Sequence, residues 1–311
     1  MIDFFDRIYS KADSNYFIVN KLKLYSVIRF FIRLFVNISI PLWYKFTRTP
    51  KLANRKYSNK RVIVSLTSFP TRINRVWLVS ESMLRQKYQP SAIILWLSKE
   101  QFKSKKELPK SLLGLEKNGL QIRLCEEDLK SHKKYYYALK EFTDDLILTV
   151  DDDIFYPTTL VKDLIELNNN FPKSICCHRA CLIQKTDNYI LPYTDWKDLK
   201  TFNGPNTQIF QTSGGGTLFP PNSLYKDVLN ENLIRRLCFN ADDIWLNMMS
   251  RLNSTTLVKS NYYSACIPIL FRNDIKLASL NVENYENDIQ LDRIRNYYLQ
   301  VNGKDIFENI V

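Results

Sequence analysis

Hydrophobic positions along this chain fall into two patterns that alternate. Apolar-rich stretches at residues 61–66, 92–97, 120–125 and 146–150 read as strands, the last of them a continuous run buried on both faces. Between them, residues 76–86, 103–117 and 132–142 carry the spacing of helices. Strands alternating with helices imply right-handed β-α-β units. The expected fold is α/β: a mostly parallel, Rossmann-like sheet flanked by helices. Further along, helices are expected at 158–168, 242–252 and 288–300, and strands at 174–177 and 256–259. Residues 183–212 are irregular, rich in Asn, Thr, Asp and aromatics, and suit a substrate-facing insertion.

The N-terminal stretch follows a different rule. Residues 20–48 are strongly apolar yet include Lys21, Lys23, Arg29, Arg33, Lys45 and Arg48. Their uninterrupted apolar runs are too short to span a bilayer. Bulky apolar side chains with basic neighbours suit a helix lying on an anionic membrane surface, or one packed on the protein's own core. Net charge sharpens this picture: of the overall +12, residues 1–61 hold 13 Lys and Arg against 3 Asp, while the rest balance at 31 against 29. The basic character is therefore local, which argues against nucleic acid as a partner. The expected organisation is a basic amphipathic segment at 1–60, a catalytic domain at 61–275 and a helical tail at 276–311.

The chemistry centres on Asp151-Asp152-Asp153, where the fourth apolar strand runs out. Strand alternation would send Asp151 and Asp153 to one side and Asp152 to the other. Two converging carboxylates at the carboxyl end of a buried strand suit a hard divalent cation, and open α/β sheets bind ligands at that end. The plainer alternative is an acidic turn capping the next helix. A second acidic pair, Asp242-Asp243, opens another helix, where either residue could cap it or serve as a general base. Three of the chain's seven glycines cluster at Gly214, Gly215 and Gly216. Glycines let a backbone approach a ligand, although a flexible turn would also use them. The loop after the first strand, residues 65–72, has no glycine and would hold base and ribose through side chains and backbone. Thr67, Arg72, Lys134 and Asp152 are the donor-binding candidates, and Lys140 is a weaker phosphate candidate. The six cysteines form no paired ligand set and read as buried thiols. The first ten residues lack the cationic start and cleavage site of a signal peptide, so a cytoplasmic place, peripheral to the inner face of the membrane, is expected.

The ordered motifs VIVSLTSFPTRI, LTVDDDIFYP, GGGTLFPP and ADDIWL resemble bacterial glycosyltransferases of the GT-A fold, family-2-like enzymes of surface polysaccharide assembly. The resemblance spans residues 60–270. It implies a nucleotide-sugar donor, a UDP-sugar first, and a saccharide or lipid-linked acceptor. It also implies Mn²⁺ or Mg²⁺ on Asp151 and Asp153, and a catalytic base at Asp242 or Asp243. A Q-x-x-R-W motif is missing, which argues against a processive synthase, and no histidine follows His178. A sugar-phosphate nucleotidyltransferase is the rival, though SLTSFPTR lacks that class's glycine-rich phosphate loop. A non-enzymatic basic membrane- or RNA-binding protein would leave the three aspartates unexplained.

Overall fold

A computed structural model of the chain describes residues 1–12, 24–53, 55–57, 59–186, 189–271 and 286–308. Lys21, Lys23 and part of the expected tail at 276–311 lie outside the described residues. Two helices come first, α1 (Ile2–Lys11) and α2 (Leu24–Phe46). A short hairpin strand β1 (Lys56–Tyr57) leads into β2 (Lys60–Thr67), followed by α3 (Val76–Leu84) and β3 (Ala92–Ser98). Next come α4 (Lys110–Leu113), β4 (Leu120–Cys125), α5 (Lys133–Glu141) and β5 (Leu146–Thr149). The chain continues through β6 (Ile154–Phe155), α6 (Leu160–Asn170), β7 (Ile175–Cys177) and β8 (Ala180–Leu182). Short strands β9 (Lys197–Asp198), β10 (Asn203–Asn206) and β11 (Ile209–Gln211) precede β12 (Thr217–Phe219). The remaining elements are α7 (Glu231–Leu237), α8 (Asp242–Leu252), β13 (Leu257–Lys259), β14 (Ile267–Pro268) and α9 (Glu286–Asn302).

The main sheet runs β10-β13-β7-β12-β5-β2-β3-β4. Strands β5, β2, β3 and β4 are mutually parallel, as the alternating pattern requires. The antiparallel strand β12 separates β5 from β7, and β13 extends the sheet parallel to β7. Side-chain alternation sorts each central strand between two cores. Val62, Val64 and Leu66 enter one, with Ile40 and Tyr44 of α2, Val79 of α3 and Leu164 of α6. Ile63, Ile94 and Trp96 enter the other, with Tyr135 of α5, Trp245 of α8, and Ile294 and Tyr298 of α9. Helix α9 thus contributes fully buried side chains to the second core.

Three local expectations change. The charged stretch 103–117 is no single helix: it breaks into two 3₁₀ turns around the four-residue α4, between Pro109 and Gly114. The glycine turn at residues 213–216 leads into a strand, β12, that the sequence pattern does not announce because it is too short to show a period. Helix α2 has 23 residues, and its segment Tyr25–Phe46 is long and apolar enough to cross a membrane by length and composition.

Candidate active site

Strand β5 ends at Thr149, so the three aspartates belong to a turn and the two-residue period no longer governs them. The expected partition fails for that reason. Asp151 points toward α5, where Lys134 Nζ donates to its Oδ1 at 2.6 Å. Asp152 and Asp153 share one partner instead, the Arg72 guanidinium, at 2.9 and 2.7 Å. Asp152 is buried, and Ser68 Oγ also donates to it at 2.6 Å. Burial pushes its carboxyl up, with Arg72 opposing. Asp152 therefore ties the loop after β2 to the aspartate turn. Arg72 itself lies between the rings of Phe69 and Phe271, at 5.3 Å from each.

Lys134 is 2% exposed and bridges two acidic motifs that lie far apart in sequence. Besides Asp151, it reaches Asp242 Oδ2 at 2.8 Å. Its helix is held to β2 by Ser65, whose hydroxyl donates to the Lys134 carbonyl and accepts from Trp96 Nε1 at 2.9 Å. Burial opposes the lysine's charge, but the two carboxylates win and hold its pKa above the ordinary value. Asp242 is likewise buried; Lys134 outweighs that burial and keeps its carboxyl below the usual range. The cap reading of Asp242 is corrected here. Ala241 is the N-cap of α8, and the Asp242 side chain accepts from Ser213 Oγ at 3.2 Å, joining α8 to the glycine turn. Asp243 is half-buried beside it. Burial and then the Asp242 charge push its carboxyl up to about 7, while its Oδ1 accepts from the Ile244 amide at 2.9 Å. Nearby His132 is buried and lowered to about 4 by desolvation, so it is neutral at pH 7. Its Nε2–H then donates to the Cys238 carbonyl and its Nδ1 accepts from Tyr135, each at 2.8 Å.

Thr67, Arg72, Lys134, Asp151, Asp152, Asp153, Gly214, Asp242 and Asp243 all line one cavity of about 820 Å³. Gly215 and Gly216 do not line it. A Cβ on Gly215 would stand 2.3 Å from Arg179 Cβ, and one on Gly216, with φ +87°, 2.9 Å from Leu160 Cδ1. These two glycines serve close backbone packing rather than ligand approach. Lys140 is exposed near the Tyr136 ring and does not line the cavity. Two residues escaped the sequence reading. Tyr156 Oη accepts from the Asp151 amide at 2.8 Å and donates to the Gly214 carbonyl at 3.2 Å, locking the aspartate turn to the glycine turn. Arg179 lines the cavity and makes no ion pair among the described residues. Its only sequence signal was a lone cation beside a buried strand.

Among the described residues no group of three or more His, Cys, Asp or Glu stands close enough to hold a metal ion by itself. Hard divalent ions need only one or two protein carboxylates when phosphate and water complete the shell. Charge supports such an arrangement. Six aspartates and five Lys or Arg line the cavity among the described residues, so the lining carries no net positive charge to offset an incoming diphosphate. The donor set fits an ion that arrives with its phosphate ligand.

No family model matches the chain, and no curated protein matches it either. Among solved structures, a mannosyltransferase from Pyrobaculum calidifontis in complex with GDP-Man and Mn²⁺ is 13% identical. It covers 92% of this chain and 77% of its own, at a TM-score of 0.47. A 2-C-methyl-D-erythritol 4-phosphate cytidylyltransferase from Francisella tularensis is 13% identical, over 72% of this chain and 99% of its own, at 0.40. A 4-diphosphocytidyl-2C-methyl-D-erythritol synthase from Anaerococcus prevotii is 15% identical, over 73% and 98%, at 0.42. Their names cover two different chemistries, so the function of this chain rests on its own residues.

Proposed function

We propose that this chain transfers a sugar from a nucleoside diphosphate donor, a UDP-sugar first, to a hydroxyl group of an acceptor. The carrying observation is Asp243: a half-buried carboxyl at the start of α8, lining the cleft, with a pKa of about 7. A hydroxyl nucleophile must shed a proton as it attacks, and a carboxylate tuned near working pH is a competent acceptor. The phosphate nucleophile of a nucleotidyltransferase arrives already deprotonated and needs no such group. The cleft volume of about 820 Å³ suits a ligand of nucleotide-sugar size.

In this reading Arg179, which makes no ion pair among the described residues, contacts the donor's phosphate oxygens, while Arg72 and Lys134 stay committed to carboxylates. Mn²⁺ or Mg²⁺ would be held by Asp151 and Asp153, and when bound it would offset the charge of the departing diphosphate. Asp242 acts through Lys134 and Ser213, setting the position of its neighbour. A single displacement with Asp243 as base inverts the anomeric centre. The test is Asp243→Asn, which should cut transfer to a hydroxyl acceptor by at least about a hundredfold while leaving donor binding unchanged. A loss below about fivefold would remove the base and the reading with it.

A further inference from the structure

Helix α2 shows two opposite faces. Val36, Ile40 and Tyr44 repeat every four residues and are buried in the core. Val27, Phe31, Leu34, Ile38 and Leu42 form the opposite stripe and are 43–61% exposed. Such a length of apolar helix could cross a bilayer, but it is tied along its length to the same domain: near its start Arg29 Nε donates to the Tyr9 carbonyl at 3.3 Å, and just past its end the Thr47 carbonyl accepts from Arg85 Nη2 at 3.2 Å. On one side α1 packs along α2 through Phe5 and Phe35, with ring centroids 5.1 Å apart. Asp3 of α1 accepts from the Thr158 amide and hydroxyl, and Asp6 from Tyr262 and Ser264, all at 2.6 Å. On the other side, Asn37 donates to the Pro268 carbonyl at 2.9 Å and accepts from the Leu270 amide at 2.8 Å. Held to one body near Arg29, at its middle and just past its C-terminal end, the helix lies flat against it.

The segment so clamped is also the wall of the cleft. Ala265, Cys266, Pro268 and Ile269 line the cavity, and the Ile269 amide donates to the Asp153 carbonyl at 2.7 Å. The Ala265 amide, in turn, donates to Ser10 Oγ of α1 at 2.9 Å. Leu270, 42% exposed, continues the apolar surface from Asn37 toward the rim.

We propose that α1 and α2 form a foot lying in the surface of an anionic bilayer. The foot holds the cleft rim at that surface, so the acceptor hydroxyl is delivered on a lipid-linked saccharide. The occupant follows from charge. In sequence, residues 1–61 hold 13 Lys and Arg against 3 Asp, and the described part of α2 turns a stripe of phenylalanine and aliphatic side chains outward. That is the composition of an interfacial helix on acidic headgroups, and a second copy of so basic a surface would repel the first. The acceptor half of this inference rests on the glycosyl-transfer reading; the membrane half does not.

The test is flotation of the full chain with phosphatidylcholine vesicles, with and without phosphatidylglycerol. The wild type should float with the anionic vesicles. The double substitution Phe31→Glu with Ile38→Glu should stay at the bottom, and Lys45→Glu with Arg48→Glu should bind at least about fivefold more weakly. Slow hydrolysis of a soluble donor, equal in all three, shows that the cleft is intact. The same saccharide is then offered as a free glycoside and as a prenyl-diphosphate conjugate in the vesicles. The Phe31/Ile38 variant should lose at least about tenfold on the conjugate and nothing on the free glycoside. A wild type that stays at the bottom overturns the foot, as does a variant that floats or one that merely splits a dimer seen without vesicles. Equal rates on both acceptors overturn the lipid-linked acceptor alone. No transfer by the wild type to either form overturns the glycosyl-transfer reading, and flotation is judged separately.

Discussion

Replacing Lys134 with methionine keeps the length of the side chain and removes the charge that two buried motifs share. The Nζ stands 2.6 Å from Asp151 and 2.8 Å from Asp242, at 2% exposure. At an effective dielectric of about 20, Coulomb's law gives each contact an attraction of roughly 6 kcal/mol before desolvation is subtracted. Removing one partner of a buried pair typically costs about 3–5 kcal/mol, because the remaining charge stays buried and unpaired. Lys134→Met should therefore lose ~3–5 kcal/mol, read as a fall in the urea midpoint at unchanged slope. Asp242→Asn in the same background removes one of the stranded carboxylates and should recover at least about 2 kcal/mol. The pH dependence has a definite sign. Without Lys134, burial raises the folded pKa of Asp242 above its unfolded value, so the protonated form is favoured in the folded state. Its contribution to stability is then present below the unfolded pKa and lost as pH rises through the raised one. The deficit of the variant should be small near about pH 4 and full near about pH 8. A loss below about 1 kcal/mol, or one that ignores pH, would refute the bridge.

Three other outcomes follow from the same geometry. The rate of transfer should rise with pH through about 7, where Asp243 ionises, and Asp242→Asn should move that limb to lower pH by deleting the charge that raises it; a pH–rate profile checks both. Gly215→Ala drives a Cβ into the Arg179 backbone and should cost about 1–3 kcal/mol in denaturant titration. Gly214→Ala, whose nearest neighbour would be Ile154 Cδ1 at 3.2 Å, should keep most of its stability. Arg179→Gln should weaken donor binding by about tenfold in a titration with nucleoside diphosphate while leaving the melting temperature unchanged.

Much of this architecture was legible in the chain because central strands announce themselves. The runs around Val62, Ile94 and Leu148 are buried on both faces, and their unbroken apolarity stands out from the polar stretches around them. The aspartate turn was found for the same reason, by its abrupt contrast with that strand. Its internal geometry was not, because the pairing of Asp152 with Arg72 and of Asp151 with Lys134 depends on tertiary approach across 80 and 17 residues. Strand alternation was the wrong rule once β5 had ended. Short elements were hidden in another way: β12 has three residues, fewer than any period needs, yet it separates β5 from β7. Arg179 gave no warning, since an isolated arginine near a strand is usually solvated. Pro109 and Gly114 interrupt the charged stretch 103–117, which is why its helical spacing does not become one helix.

The central claim is that the leaving group in this cleft is a nucleoside diphosphate and the nucleophile a hydroxyl. It is tested most directly by identifying what is released. The protein would be incubated with Mn²⁺ and a panel of nucleotide-sugars, and in parallel with nucleoside triphosphates and sugar phosphates, each with candidate acceptors. The account predicts a nucleoside diphosphate from the first set, in step with a new glycosidic bond. Pyrophosphate from the second set, with no diphosphate from the first, would contradict it.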